Sequence, residues 1–335
     1  MNKLTFILFA VLGILVSCNS RTNIKENPSN GSDTVKSIEP AVVVNDLNPD
    51  TSSQYDHIPV INHDQKNPGS RVSSQQDVFN KITFNGLGAE ERKKGMALAS
   101  KGDLKGAVEW FTKSIEANPK NPDGYFYRGK AKMELKDYAG AESDLSKAIK
   151  MRPSQAPFHY YRGQFYMELK RYPEAIADFD STFKLSPNYY DAINYKGVAL
   201  ANLGKHEQAI VEYDKVIQMN PGGALAYYNK GTSLAGLGKF MEAEEMFTQA
   251  ISIDPKYEQS YVNRGNSRLM QNNYQSAWDD YSMALTFNPK NSDALYNSGF
   301  ALKQLGKMQQ ACDNWRLAVI EGHRLAQQQI DKYCK

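Results

Sequence analysis

The sequence predicts an all-α fold: a solenoid of seven stacked helix pairs over residues 88–325. Three observations predict it. Glycine recurs every 34 residues, at Gly95, Gly129, Gly163, Gly197, Gly231, Gly265 and Gly299. Twelve residues after each glycine stands alanine (Ala107, Ala141, Ala175, Ala209, Ala243, Ala277, Ala311), and four further on a large apolar residue (Phe111, Leu145, Phe179, Tyr213, Phe247, Tyr281, Trp315). Twenty-four residues after each of the first six glycines comes proline, at 119, 153, 187, 221, 255 and 289; the seventh unit carries His323 instead. Glycine and alanine let two antiparallel helices approach where a longer side chain would hold them apart, and the large residue fills the space beside the crossing. Proline cannot continue a helix, so the second helix of each pair stops near it. One pair cannot bury its apolar face alone, so neighbours stack.

The chain ahead of the repeats reads in three parts. Residues 1–17 open with Met1-Asn2-Lys3, followed by thirteen uncharged residues from Leu4 to Val16. That run is shorter than the about 20 apolar residues needed to cross a bilayer, and fits the apolar core of a secretory signal. Residues 18–75 are rich in Asn, Ser, Asp and Pro, as in Asn27-Pro28-Ser29-Asn30-Gly31-Ser32. Such composition buries too little surface to offset the entropy of ordering, so this stretch is expected to be a disordered tether with a root-mean-square reach of roughly 40–45 Å. Residues 76–87 are more apolar, and Val78, Phe79, Ile82 and Phe84 are expected to cover the open end of the first repeat.

Two resemblances add to this reading. Leu15-Val16-Ser17-Cys18 resembles the lipobox of bacterial lipoproteins. It implies cleavage before Cys18, lipid attachment to that cysteine, and a cell-envelope location; Asn19 rather than Asp at the next position favours the outer membrane over the inner. Several acyl chains anchor firmly, each buried CH₂ contributing about 0.8 kcal/mol. The 34-residue unit resembles the tetratricopeptide repeat, with its small residues at two helix crossings, aromatics between them and an exit proline. The resemblance implies a right-handed superhelix whose first helices line a concave, peptide-binding groove at their second, fifth, sixth, ninth and twelfth positions. Fifth positions here include Phe126, Tyr160, Asn194, Tyr228 and Tyr296; sixth positions run Tyr127, Tyr161, Tyr195, then Asn229, Asn263 and Asn297. Met133 and Met167 add adaptable apolar surface. An Asn amide both donates and accepts, which suits the backbone of an extended peptide, so the three asparagines are expected to form a ladder. A clamp for acidic peptide C-termini needs Lys, Asn and Arg at set positions; Asn266 and Asn297 have the right type, but Val262 stands where Lys is required. Ser114, Thr182 and Val216 replace a usual alanine.

The end of the chain has its own device. Residues 326–335 are expected to form a closing helix, with Ala326, Ile330 and Tyr333 as its apolar face. Cys312 lies about as far before the Glu321-Gly322-His323 turn as Cys334 lies after it, so two antiparallel helices would place them at one level. In an oxidising envelope they are expected to bond. Of three cysteines, one then carries lipid and two form a bridge.

Composition excludes other classes. Forty Lys and Arg against 37 Asp and Glu give a net charge of +3, without the clustered basic surplus a nucleic-acid binder needs. Lys94, Arg128, Arg162, Lys196, Lys230 and Arg264 precede successive glycines; they read as stems packed along the helix pair with exposed heads. Other charges read as solvated helix faces. Five histidines (57, 63, 159, 206, 323) lack ligand spacing, so no metal or cofactor is expected. No nucleophile elbow, P-loop or dinucleotide motif occurs. Asp178 and Asp180, the nearest acid/base candidates, flank Phe179 on an ordinary helix. The chain therefore reads as a non-enzymatic adaptor that binds protein or peptide partners in the envelope. The alternatives are a subunit of an envelope assembly and a glycan or peptidoglycan binder.

Overall fold

A computed structural model describes residues 86–334. The expected signal segment, Cys18, the expected tether and Val78 to Phe84 lie outside these residues. Among those described there are fifteen helices and no strand. They pair as α1 (Ala89–Ala99) with α2 (Leu104–Ala117), α3 (Pro122–Glu134) with α4 (Tyr138–Met151), α5 (Ala156–Glu168) with α6 (Tyr172–Leu185), and α7 (Tyr190–Asn202) with α8 (His206–Met219). Then follow α9 (Ala224–Gly236) with α10 (Phe240–Ile253), α11 (Glu258–Met270) with α12 (Tyr274–Phe287), and α13 (Ser292–Gln304) with α14 (Met308–Ile320). A shorter α15 (Ala326–Tyr333) packs on α14. No described helix is long and apolar enough to cross a membrane.

The crossing inside each pair is as tight as the small residues imply. A Cβ added at Gly231 would meet the Phe247 ring at 2.8 Å, and one at Gly163 would meet Phe179 at 2.7 Å. Ala107, Ala141, Ala175, Ala209, Ala243, Ala277 and Ala311 are all fully buried. The turn between the two helices passes through the left-handed region at the same place in every repeat. Glycine takes that place at 102, 204, 238 and 306, and Lys136, Lys170 and Asn272 take it elsewhere. Side-chain caps start several helices: Asp103 accepts from the Gly106 N–H at 2.9 Å and Asn291 from the Ala294 N–H at 2.9 Å.

Successive first helices, from α1 through α13, touch one another, whereas successive second helices make no comparable contact. The first helices therefore lie on the inside of the bend, which makes their inward side chains the floor of a groove.

Candidate peptide-binding groove

The fifth-position residues do not line this groove. Phe126 is completely buried, and Tyr160, Asn194, Tyr228 and Tyr296 are buried as well. This corrects the sequence expectation, and the cause is direction: from the fifth position a side chain points along the stack into the next repeat. The Phe126 ring meets Phe158 at 4.7 Å and Tyr161 at 5.4 Å; Tyr160 meets Tyr189 at 4.7 Å and Tyr195 at 5.9 Å; Tyr228 meets Tyr257 at 5.0 Å. Burial pushes the Tyr228 phenol up to about 12, against hydrogen bonds from Thr232 and Asn263 that lower it. Val262, at the same position, is buried too.

The sixth and ninth positions carry the accessible surface. Tyr161, Tyr195, Asn263 and Asn297 are half-buried, as are Lys130, Gln164, Thr232 and Asn266, with Met133 and Met167 beside them; Tyr127 and Asn229 are buried. The three asparagines do not bond to one another; each bonds a different side chain of the preceding repeat. Asn229 Nδ2 donates to Asn194 Oδ1 at 3.1 Å, Asn263 Nδ2 to the Tyr228 hydroxyl at 3.1 Å, and Asn297 Nδ2 to Asn266 Oδ1 at 3.0 Å. Each amide thus spends a donor on the preceding repeat. The Tyr281 hydroxyl also donates to Asn266 Oδ1, at 2.8 Å. Lys130 Nζ lies 3.7 Å from the centre of the Tyr161 ring, within cation–π range. Sequence reading passed over Lys130 and Gln164, although both occupy the ninth position.

The basic run is also placed differently from expectation. From Arg128 to Arg264 its heads are half-buried and bridge helices; only Lys94 is exposed. Arg128 grips Asp144 with Nε–Oδ2 and Nη2–Oδ1 both at 2.8 Å, and reaches back to the Thr112 hydroxyl at 3.2 Å. Arg162 repeats this with Asp178 and Ser146, and Arg264 with Asp280 and Thr248. Where an aspartate replaces the hydroxyl, lysine replaces arginine: Lys196 meets Asp180 at 2.7 Å and Glu212 at 3.2 Å, and Lys230 meets Asp214 at 2.6 Å. In the first repeat Lys94 lies over Trp110 instead, at 4.4 Å. Asp144, Asp178, Glu212 and Asp280 are buried. They are buried partners of cations, not solvated faces; Asp178 pairs with Arg162 in this way, and the exposed Asp180 pairs with Lys196. Arg92, in the charged start of the first repeat, is 1% exposed and bonds the Ser114 hydroxyl at 3.4 Å.

At the far end the Cys312 and Cys334 sulfurs stand at 2.06 Å with Cα atoms 5.6 Å apart. The Tyr333 ring lies 5.9 Å from Trp315, Ala326 is fully buried, and Ile330 packs on the same cluster. Among the described residues no group of three or more His, Cys, Asp or Glu is placed to hold a metal ion.

Comparison with known proteins agrees with this geometry. Family models described as tetratricopeptide or TPR repeat match residues 95–136, 128–189, 171–224, 224–257 and 293–319. No curated protein matches the chain. The fold is shared with a crystal structure of a tetratricopeptide repeat protein from Parabacteroides merdae (TM-score 0.59, 18% identity, covering 74% of this chain and 99% of that one). It is also shared with the C-terminal part of a TPR repeat-containing protein from Cytophaga hutchinsonii (TM-score 0.59, 17% identity, 70% and 98% covered). With the same small-residue crossings, left-handed turns and inward-facing first helices in each unit, and with family matches over more than half its length, this chain belongs to the tetratricopeptide repeat family of protein-interaction adaptors.

Proposed function

We propose that the protein is a lipid-anchored adaptor of the bacterial cell envelope that holds a peptide segment of a protein partner in the groove of its first helices. The observation that carries the groove is the half-exposed run of Tyr161, Tyr195, Met133 and Met167 on adjoining first helices, edged by Lys130 and Gln164. Aromatic and methionine surface supplies contact area at low entropic cost, and the edging polar groups fix orientation. The anchor is inferred from Leu15-Val16-Ser17-Cys18.

Two measurements test the reading separately. Cys18→Ala should move the protein from the membrane to the soluble fraction; retention in the membrane rejects the anchor. A photo-crosslinking residue at Tyr161 or Tyr195 should capture a discrete partner in cells, while one at the outward Lys147 should not. Equal capture at all three rejects the groove.

A further inference from the structure

The third position of the first helix faces the preceding repeat. At Gly124 an added Cβ would come within 2.8 Å of Ile115 Cγ1, so this is a place where two helices nearly touch. Small residues occupy it in the other repeats that have a predecessor: Gly124, Ala192, Ala226, Ser260 and Ala294, all buried. The third repeat departs from this with Phe158. Its ring is 1% exposed and lies 4.7 Å from Phe126. By the register of Gly124 against Ser114 and Ile115, Phe158 faces Ala148 and Ile149, and all three belong to one core cluster.

A phenyl ring cannot fit where a methyl group is already tight, so the helices must part. They do: α4 and α5 pack against each other over a smaller extent than any other second helix and the first helix that follows it. The inner side of the same step has not opened. There α3 still touches α5 as α5 touches α7. Phe126 meets Tyr161 at 5.4 Å, against 5.9 Å for the equivalent pair Tyr160 and Tyr195. Opening the outer side while the inner side stays closed tilts one repeat on the next toward the groove.

We propose that Phe158 is a positioning residue: a wedge that bends the stack at the step between the second and third repeats and sets Lys130 against Tyr161 on the groove floor. Its meaning for binding rests on the groove reading above; its geometry does not. In a crystal structure of Phe158→Ala, α4 and α5 should close to the spacing of α6 and α7, and Lys130 should leave the Tyr161 face. Unchanged helix spacing, with a cavity where the ring stood, overturns the proposal. Should that variant not fold, Phe158→Leu should give a partial closure, and a spacing equal to the parent's overturns the proposal in the same way. The converse substitution Ala192→Phe should part α6 from α7 with its ring buried; a ring turned out to solvent over unchanged helices counts against the wedge. None of these measurements needs a ligand. Failure here leaves the crosslinking result at Tyr161 to stand alone, and loss of that crosslink with the wedge intact rejects only the groove.

Discussion

Arg162 holds Asp178 through two parallel hydrogen bonds, Nε to Oδ2 at 2.7 Å and Nη2 to Oδ1 at 2.9 Å, across the two helices of one repeat. The His159 ring adds a third contact, Nδ1 to Oδ1 at 3.2 Å. The aspartate side chain is 5% exposed and the arginine 21%. Removing one partner strands a largely buried charge. We expect Asp178→Leu or Arg162→Met to lower stability by about 2–3 kcal/mol, under the about 3–5 kcal/mol of a fully buried pair because Arg162 keeps some water. The double variant should cost clearly less than the two singles summed, since neither charge is then left alone. A double-mutant cycle by urea denaturation checks this; simple additivity would show that the pair is not coupled.

Gly231 sits against the Phe247 ring, whereas Gly238 has nothing within 4 Å of an added Cβ. In an exposed helix interior, Gly→Ala gains about 1 kcal/mol from propensity. At Gly231 the gain is outweighed by overpacking of about 1–3 kcal/mol. Gly231→Ala should therefore lower the thermal midpoint, and Gly231→Val should lower it further. Gly238→Ala should also destabilise, but for the separate reason that Gly238 has φ +74°. A Gly238→Asn variant separates the two: Asn tolerates the left-handed region, as Asn272 does at the same place in the next repeat, so it should be nearly neutral.

Asp123 is buried at the junction of the first two repeats and bonds Arg152 Nη1 at 3.2 Å. Burial raises its pKa above the ordinary 3.8, while Arg152 and Arg92 pull the other way. A carboxyl whose folded pKa is raised binds its proton more tightly in the folded state. Its contribution to stability is thus fully present below the unfolded pKa and declines as pH rises through the folded one. The stability of Asp123→Asn relative to the parent should then shift in the variant's favour as pH rises above about 3.8, and level off once Asp123 is ionised in the folded state. Denaturation midpoints of both proteins across that range decide it; a difference drifting the other way means the arginines outweigh burial.

The Cys312 and Cys334 pair closes 22 residues of chain. In the chain-entropy model a bond there stabilises by about 3.4 kcal/mol. Thiol titration of the denatured, unreduced protein should find no free thiol from these two residues. Cys312→Ala should loosen α15 from Trp315 first, visible as faster amide exchange over 326–333 before any change in the α1 to α4 region.

The repeat was legible because its determinants are local and periodic. Gly95 with Phe111, and its six counterparts, declare a crossing through spacing alone. The ion pairs were equally periodic, since Arg128 and Asp144 are sixteen residues apart and Arg162 and Asp178 repeat that interval. They were missed because a stripe of one sign was read without its opposite on the facing helix. What spacing does not reveal is which way a side chain leaves a helix relative to the next repeat. Phe126 and Tyr161 differ by one position within the unit, yet one is core and the other groove floor, because the next repeat covers the first and not the second. Phe158 was invisible for a different reason: a wedge is an exception to the period, and pattern matching attends to agreement.

That same ambiguity makes the asparagines a sharp test. A ladder that serves only a ligand can be removed without harm to the fold, but these amides donate within the protein. Asn229→Ala strands the buried Asn194 carbonyl oxygen, and should cost about 1–3 kcal/mol of stability for the unpaired acceptor. Asn297→Ala should cost less, because Asn266 keeps the Tyr281 hydroxyl at 2.8 Å. Asn263→Ala frees the Tyr228 hydroxyl, which is buried, and should fall between them. Urea denaturation gives the order. The Asn229, Asn263 and Asn297 triple Ala variant, measured where it remains folded, then separates the two roles. Weakened crosslinking at Tyr161 and Tyr195 with the fold intact assigns the amide oxygens to the ligand, and unchanged crosslinking assigns the amides to the stack alone.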